Sequence, residues 1–244
     1  MTVQGLAELV RERQPCVVLT GAGVSTESGI PDFRSPTGIW ARYDPMEYAS
    51  IEAFLADPVK VWDFYAKRLH ALAEAEPNDG HRALAELEER GWVRAVITQN
   101  IDRLHERAGS RALVEVHGSI GTSSCLDCGL VVPLADVMQL LPVPECPNCG
   151  RVLKPDVVMF GEYLPVEAIE RATQLAVEAR LLLVVGSSLE VHPVAGLPLE
   201  TLAAGGTLAI VNRGPTPLDS RASVVVDAGA GETLRALAAA LPRR

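Results

Sequence analysis

The stretch CVVLTGAGVSTESGIPDFR, residues 16–34, contains the most informative local pattern of the chain. It opens with a short apolar run, Cys16–Thr20, and passes directly into a turn that contains Gly21 and Gly23. A buried strand that ends in a glycine-rich turn is typical of dinucleotide-binding proteins, because the glycines permit a tight turn and a close approach to phosphate. Thr26 stands where the third glycine of GxGxxG would be, so these residues alone leave two interpretations open, a cofactor turn and an ordinary α/β turn.

Short apolar runs and segments of helical periodicity alternate along most of the chain. The predicted strands are Cys16–Thr20, Val93–Thr98, Ala112–Val116, Leu181–Val185 and Thr207–Val211, with weaker candidates at Asp156–Met159 and Ser223–Val226. The predicted helices between them are Leu6–Val10, His81–Arg90, Pro165–Ala179 and Glu232–Leu241. Strands that are apolar on both faces and alternate with helices predict an α/β fold with a mostly parallel sheet covered on both sides.

Two stretches interrupt this alternation and are predicted to be inserts. Ser35–Asn78 is helical by pattern over Met46–Leu55 and again over Pro58–Ala73. Ser119–Lys154 carries four cysteines and has little periodicity outside Leu134–Leu141.

Composition bounds the class of protein. The 244 residues are 48% hydrophobic and 22% charged, which favours one globular domain with a sizeable core. The net charge of −9 argues against a nucleic-acid-binding surface, which needs a basic stripe. The sequence contains no apolar run of about 18 residues, so no membrane span is expected. The first residues lack the apolar centre of a signal peptide, and we therefore expect a cytoplasmic protein.

Four cysteines form two CxxC pairs that predict a metal site. Cys125 and Cys128 are followed, after 17 residues, by Cys146 and Cys149. This spacing is typical of a four-thiolate zinc site, which has no open position for water and is therefore structural. Two disulfides are the alternative, and they are disfavoured in a chain without a secretion signal. Cys16 begins a strand and is predicted to be a buried core thiol.

Polar groups follow several of the predicted strands. They occur at residues 98–105, 117–119, 186–188 and 212–213, where the carboxyl ends of parallel strands would bring them to one sheet edge. An amide, a carboxylate, a histidine and hydroxyls at that edge suit a nucleotide and one proton transfer. His105 is predicted to be a structural hydrogen bonder, and surface or capping roles are predicted for the remaining histidines, which are His70, His81 and His192. The chain has neither a GxxxxGK[ST] phosphate loop nor a GxSxG nucleophile elbow.

Taken together, these motifs resemble the bacterial-type sirtuins, the NAD-dependent protein lysine deacylases. The resemblance extends over nearly the whole chain, and its motifs occur in the order of that family. The matching segments are GAGVSTESGIPDFR (21–34), TQNID (98–102), HG (117–118), the paired CxxC knuckles, KPDVVMFGE (154–162), GSSLEVHP (186–193) and Asn212.

The resemblance implies a Rossmann-like, doubly wound parallel sheet with a small domain made of a helical module and a zinc knuckle. The Rossmann-like part would comprise residues 1–34, 79–118 and 155–244, the helical module residues 35–78, and the zinc-binding module residues 119–154. It also implies a set of NAD-binding residues: Gly21, Ala22, Gly23, Thr26, Glu27, Asp32, Phe33, Arg34, Gln99, Asn100, Ile101, Asp102, Gly186, Ser187, Ser188, Asn212, Arg213 and Ala228.

The implied substrate is an acyl-lysine on another protein. Its backbone would pair with the strand and turn at Val157, Phe160 and Gly161. The implied reaction starts when the acyl oxygen displaces nicotinamide from the ribose to give an alkylimidate, and it yields free lysine, nicotinamide and O-acyl-ADP-ribose. His117 would act as general base after the displacement, since a histidine accepts a proton near neutral pH. Asn100 and Asp102 would be the other catalytic residues.

The acyl group itself is left open by the sequence. The expected activity is deacetylation, but Tyr65 and Arg68 lie on one helix face and resemble the Tyr-x-x-Arg of desuccinylase-type sirtuins. Asp32 argues the other way, because members with that pocket usually lack this aspartate. Three further hypotheses are a nicotinamide-dependent oxidoreductase, an NAD- or ADP-ribose-binding module without deacylase activity, and ADP-ribosylation of proteins as a side activity.

Overall fold

The fold is described by a computed structural model over residues 3–243. The strands are β1 (Cys16–Thr20), β2 (Ala95–Thr98), β3 (Leu113–Glu115), β4 (Gly118–Ser124), β5 (Val131–Pro133), β6 (Lys154–Val157), β7 (Leu181–Val185), β8 (Thr207–Val211) and β9 (Val224–Val226). The α-helices are α1 (Val3–Glu12), α2 (Pro45–Tyr48), α3 (Ile51–Ala56), α4 (Pro58–Glu74), α5 (Asp79–Glu89), α6 (Leu104–Ala108), α7 (Leu134–Val137), α8 (Val166–Glu178), α9 (Leu197–Ala203) and α10 (Ala230–Ala240).

The main sheet has six strands in the order β3-β2-β1-β7-β8-β9, and every neighbouring pair is parallel. The predicted doubly wound α/β fold is therefore confirmed. The order reverses at β1, whose neighbours β2 and β7 lie on opposite sides of it. Ligands of such sheets bind outside the carboxyl ends of the strands at this reversal.

Each central strand contributes to two cores because successive side chains point to opposite faces of the sheet. In β1, Cys16 and Val18 pack in one hydrophobic cluster, while Val17 and Leu19 pack in the other. Helices α1, α5 and α10 cover the first face, and α8 and α9 cover the second. Cys16 is fully buried, as predicted, and burial raises the pKa of its thiol to about 12.

A second, three-stranded antiparallel sheet has the order β5-β4-β6. The run predicted as a strand at Asp156–Met159 falls here and not in the main sheet, since β6 pairs with β4 and ends at Val157. The chain leaves β3 and enters β4 through only two residues, Val116 and His117. This short passage places the end of a main-sheet strand directly against the small sheet.

The two predicted inserts pack together into one core of their own, which we call the small lobe (residues 35–78 and 119–154). Trp62 of the first insert is fully buried, and its Nε1 donates to the carbonyl oxygen of Leu153 in the second insert at 2.7 Å. Side chains from both inserts form a single hydrophobic cluster that is separate from the two clusters of the main sheet.

Two predicted helices of the small lobe differ from those observed. The helix predicted at Met46–Leu55 is two helices, α2 and α3, because Ser50 begins a new one: its Oγ accepts from the backbone N–H of Ala53 at 3.1 Å. The helix predicted at Leu134–Leu141 ends at Val137. Among residues 3–243, none of the helices combines the length and apolar character that a membrane span requires.

Candidate active site

A cavity of about 1600 Å³ lies at the carboxyl ends of β1, β2, β7 and β8 and extends to the small lobe. Its sheet half consists of the turns after these strands (residues 21–26, 99–102, 186–193 and 212–214). Its other half, which we call the module half, is lined by side chains of α4 (within residues 64–72) and by the segment after β6 (residues 157–164). The loop at residues 31–40 contacts both halves, through the Arg34–Glu190 ion pair and the contact of Phe33 with Arg68.

This cavity brings together every predicted catalytic and substrate-binding residue and, apart from Glu27, every predicted cofactor residue. The exposed carboxylate of Glu27 instead accepts from the backbone N–H of Gly231 at 3.0 Å and so caps α10. Asn212 lines the cavity, and its amide donates to the carbonyl oxygens of Arg213 and Gly214. The part that each of these residues plays toward NAD stays a prediction.

The glycine turn after β1 crosses the turn after β7 at van der Waals distance. A Cβ on Gly23 would lie 2.7 Å from the Cα of Gly186, and Gly186 itself has a φ of +60°. The backbone N–H of Gly23 donates to the Gly186 carbonyl at 2.8 Å. The sequence predicts that these glycines leave room for phosphate. In the structure a glycine is also needed because a side chain would clash where the two backbone turns touch.

A buried polar network forms the floor of the sheet half. The Ser25 hydroxyl donates to Asp102 at 2.6 Å and accepts from the Asn100 amide at 3.0 Å. Asp102 also accepts from the backbone N–H of Leu104, and it is 5% exposed. Burial raises the pKa of Asp102, while the bonds from Ser25 and Leu104 lower it. Asn100 and Asp102 are therefore held in fixed positions by Ser25, which the sequence analysis did not single out.

Two buried histidines lie beneath this network. The rings of His81 and His105 are 4.8 Å apart. His81 faces the Ser25 hydroxyl at 3.3 Å, and His105 contacts the Thr20 hydroxyl at 2.9 Å. Burial lowers the pKa of His81 to about 4 and that of His105 to about 3, so both rings are neutral at pH 7.

The structure confirms the hydrogen-bonding role of His105 and the capping role of His81. His81 does cap its helix, as its Nδ1 accepts from the backbone N–H of Asn78 at 3.3 Å. The ring is fully buried, so of the two predicted roles, surface or capping, His81 has the capping one. The Asn78 side chain, which begins α5 three residues earlier, is the sequence signal that could have found it.

His117 lies at the junction of β3 and β4 and lines the cavity. Its Nδ1 lies 3.0 Å from the carbonyl oxygen of Gln99, and because a carbonyl only accepts, Nδ1 carries the proton. Burial lowers the pKa of His117, the Gln99 bond raises it, and the charge of Arg34 lowers it further. The neutral ring therefore leaves Nε2 as its acceptor, which is the form that a general base requires.

The loop at residues 31–40 is closed by its own backbone bonds. The N–H groups of Ile39 and Trp40 donate to the carbonyls of Asp32 and Phe33, both at 2.9 Å. Phe33 packs on Trp40 with ring centroids 5.2 Å apart. The neighbouring Arg34 forms an ion pair with Glu190 at 3.3 Å, which joins the loop to the turn after β7.

The module half is aromatic and ends in one guanidinium. Arg68 lies 5.0 Å from the ring centroid of Phe64 and 5.5 Å from that of Phe33. Tyr65, on the same helix, is 7% exposed, and burial raises its pKa to about 12, so its hydroxyl stays protonated. No carboxylate between residues 3 and 243 forms an ion pair with Arg68.

The predicted substrate segment after β6 is fixed to its neighbours by backbone bonds. The N–H of Val158 donates to the carbonyl oxygen of His117 at 2.8 Å. Phe160 donates to Ala49 and accepts from Ile51, at 2.8 and 2.9 Å. The segment thus connects His117 of the main sheet to the helices of the small lobe.

The four cysteines of the two CxxC pairs converge on one point. Their sulfur atoms all lie within 4.8 Å of one another, with 3.4 Å between Cys125 and Cys149 and 3.6 Å between Cys128 and Cys146. Tetrahedral zinc with bonds of about 2.3 Å places sulfurs roughly 3.8 Å apart, whereas a disulfide requires about 2.05 Å. The cluster therefore fits a single structural zinc ion, and the disulfide alternative is wrong.

Comparison with known proteins gives the same family for nearly the whole chain. Residues 21–193 match the Sir2 family. The chain is 47% identical over 239 residues to NAD-dependent protein deacylase 2 of Pyrobaculum aerophilum, covering 98% of this chain and 96% of that one. It is likewise 47% identical over 240 residues to the NAD-dependent protein deacetylase of Chromobacterium violaceum, covering 97% of each.

A solved Sir2 structure with a deacetylated p53 peptide and 3′-O-acetyl ADP ribose superposes with a TM-score of 0.93. It is 42% identical in sequence, and the match covers 96% of each chain. A family match over more than half of the chain, relatives of this identity and the same fold all agree. The chain belongs to the Sir2 family.

Proposed function

We infer that this chain is an NAD-dependent protein lysine deacetylase. It removes the acetyl group from a lysine side chain, consumes one NAD and one water, and produces nicotinamide, O-acetyl-ADP-ribose and free lysine. The observation that carries this inference is the position of His117, a neutral base that lines the same cavity as the sheet half and the module half. When bound, NAD supplies the ribose carbon that nicotinamide leaves and the hydroxyl that receives the acetyl group.

The residues around that ribose have separate tasks. His117 removes the proton of the ribose hydroxyl through Nε2, because Nδ1 is engaged with Gln99. Asn100 and Asp102 orient the nicotinamide end, since Ser25 fixes both side chains. Phe33, held against Trp40, excludes water from the reacting carbon.

The remaining cofactor residues support the rest of NAD. The turn at Gly21, Ala22, Gly23 and Thr26 follows β1 and would face the pyrophosphate. Ser187 is held by the Gln99 amide at 2.9 Å, so the turn after β7 is linked to the strand end beside it. This turn and Asn212 would hold the adenosine half.

Acyl-lysine proteins are the proposed partners, bound with their backbone along Val157–Gly161. We propose the cytoplasm as the place of action. Four thiolates that bind one zinc ion, instead of forming two disulfides, are typical of a reducing compartment. The acidic net charge of −9 suits basic lysine-containing segments better than nucleic acid.

A second activity, removal of succinyl or malonyl groups, is favoured by Arg68. The guanidinium lines the module half, lies on two aromatic rings and has no carboxylate partner among the described residues. Burial lowers the pKa of Arg68, which means that the desolvated charge would gain from an anionic partner. The carboxylate of an acidic acyl group, with the Tyr65 hydroxyl as a second donor, would supply that partner.

Product analysis tests the proposed function and its rivals together. The purified protein is incubated with NAD and matched acetyl- and succinyl-lysine peptides, and all products are identified by mass spectrometry. We expect nicotinamide and O-acetyl-ADP-ribose from the acetyl peptide. Reduced nicotinamide cofactor would indicate an oxidoreductase, cofactor binding without turnover would indicate a binding module, and ADP-ribosylated protein would indicate the side activity.

A further inference from the structure

An ion pair between the buried Lys154 and the partly exposed Glu162 fixes the segment that would receive the substrate. Lys154 begins β6, and its side chain is 8% exposed, which is rare for lysine. Its ammonium contacts the carboxylate of Glu162 at 2.9 Å. It also donates to the backbone carbonyls of Pro155 at 3.1 Å and of Val157 at 2.9 Å. All three protons of the ammonium therefore have acceptors within the same short segment.

Glu162 closes the other side of this segment. Its carboxylate accepts from the backbone N–H of Met159 at 2.8 Å, and its own N–H donates to the Met159 carbonyl at 3.0 Å. The Lys154–Glu162 pair thus holds backbone groups at both ends of the turn. The turn includes Val157 and Phe160, which line the cavity where an acyl-lysine would lie.

We propose that Lys154 and Glu162 are positioning residues for the acyl-lysine substrate. They set the turn at Val157–Gly161 at the position where a substrate backbone can pair with it, and through Val158 they also hold the backbone of His117. This inference rests on the proposed deacylase function. The pair acts through the turn and is not itself a group that takes part in the reaction.

The position of the pair argues against a purely stabilising role. A buried ion pair contributes little net stability compared with apolar residues of the same volume, because desolvating two charges is costly. The two partners are eight positions apart along the chain, and the bonds they form fall on the intervening backbone. The pair therefore does not join elements that are distant in sequence. Instead, it determines the geometry of the turn between its two partners.

Binding of an acetyl-lysine peptide to the 244-residue chain, measured by fluorescence polarisation, is the primary test. Lys154→Met should weaken peptide binding about tenfold or more, as expected for lost charge-assisted bonds, and should leave the affinity for NAD unchanged. Lys154→Arg should retain most of the peptide affinity because it keeps the charge and the donors. Lys60→Met, which breaks an exposed Lys60–Glu47 pair of the same 2.9 Å length, is the matched control and should change neither affinity.

The double variant Lys154→Met/Glu162→Gln separates positioning from stability. It leaves no unpaired buried charge, so the melting temperature should recover toward that of the native protein. Peptide affinity should stay low, because the Val157 carbonyl still lacks its ammonium donor. Recovery of both quantities, or a parallel loss of NAD and peptide affinity in Lys154→Met, would overturn the inference.

The same measurements distinguish this inference from the proposed function. Native protein that binds the acetyl-lysine peptide without turnover contradicts the deacetylase function but still tests the ion pair through binding. Native protein that shows no affinity for the acetyl-lysine peptide overturns both.

Discussion

The two halves of the cavity are built by different means. The sheet half consists of backbone turns after parallel strands and a buried network of Ser25, Asn100 and Asp102. The module half consists of aromatic side chains and Arg68, and two inserts that are distant in sequence hold it together through a shared core. We therefore expect cofactor binding to depend on the sheet half and acyl-lysine binding on the module half, so that each can be lost separately.

Loss of zinc should unfold the small lobe and should have the largest effect on peptide binding and turnover. A structural zinc ion contributes about 10 kcal/mol to the folding of small zinc domains, so Cys146→Ser should abolish acetyl-peptide binding and turnover. Affinity for ADP-ribose, measured by calorimetry, should persist because the two clusters of the main sheet contain no zinc-ligand cysteine.

Cys16→Ala is the matched control for the zinc variant, as it removes a buried cysteine outside the cluster. It should retain one zinc ion per chain, measured by mass spectrometry of the metal, and should retain peptide binding. If Cys146→Ser lost ADP-ribose affinity as completely as peptide affinity, the two halves would not be separable.

Removal of the Arg68 guanidinium should affect acyl preference in the module half and leave the sheet half intact. Arg68→Met should lower the succinyl-to-acetyl ratio of kcat/KM by about tenfold or more, since a hydrogen bond to a charged group contributes roughly 1.5–3 kcal/mol. Lys67→Met, on the exposed side of the same helix, is the control, and its ion pair with Asp63 is a surface one. An unchanged ratio in Arg68→Met would refute a role for Arg68 in acidic acyl recognition.

The sheet half should show a pH dependence of stability that comes from its buried histidines. His81 and His105 have pKa values of about 4 and about 3 in the folded protein, below the ordinary value near 6.5. Below pH 6.5 these two histidines bind protons in the unfolded chain but not in the folded protein. The free energy of unfolding should therefore fall as the pH drops from 6.5 to 5. Each histidine contributes at most about 1.4 kcal/mol per pH unit.

Denaturant unfolding between pH 5 and 6.5 measures this slope. His105→Asn should reduce the slope by at most one proton, or about 1.4 kcal/mol per pH unit, whereas His70→Asn, at an exposed position of α4, should leave it unchanged. Equal slopes of unfolding free energy against pH in His105→Asn and the native protein would show that His105 is not a buried, neutral group in the folded state.

The sheet half was largely predictable because its signals are local. A strand followed by polar residues indicates where those residues meet, and β1, β7 and β8 have the predicted bounds. The small lobe was less predictable because its geometry depends on distant partners. The break between α2 and α3 coincides with backbone bonds from Ala49 and Ile51 to Phe160, more than a hundred residues away.

Buried polar groups were the other omission. Ser25 lies within the quoted glycine-rich motif, and Lys154 and Glu162 lie within KPDVVMFGE, yet a motif does not say which of its polar residues are buried. Burial of a lysine depends on acceptors that only the folded turn provides. The four cysteines were predictable because their spacing alone specifies the site.

We propose that His117 acts as the general base toward the ribose hydroxyl, and that it does so only after nicotinamide has left. Exchange of isotope-labelled nicotinamide into NAD, in the presence of acetyl-lysine peptide, tests it most directly when compared with deacetylation in His117→Ala. We expect deacetylation in His117→Ala to fall by about 100-fold or more while nicotinamide exchange persists, since the lost group is a general base for the later step. Equal loss of exchange and deacetylation, with NAD and peptide affinities intact, would contradict it.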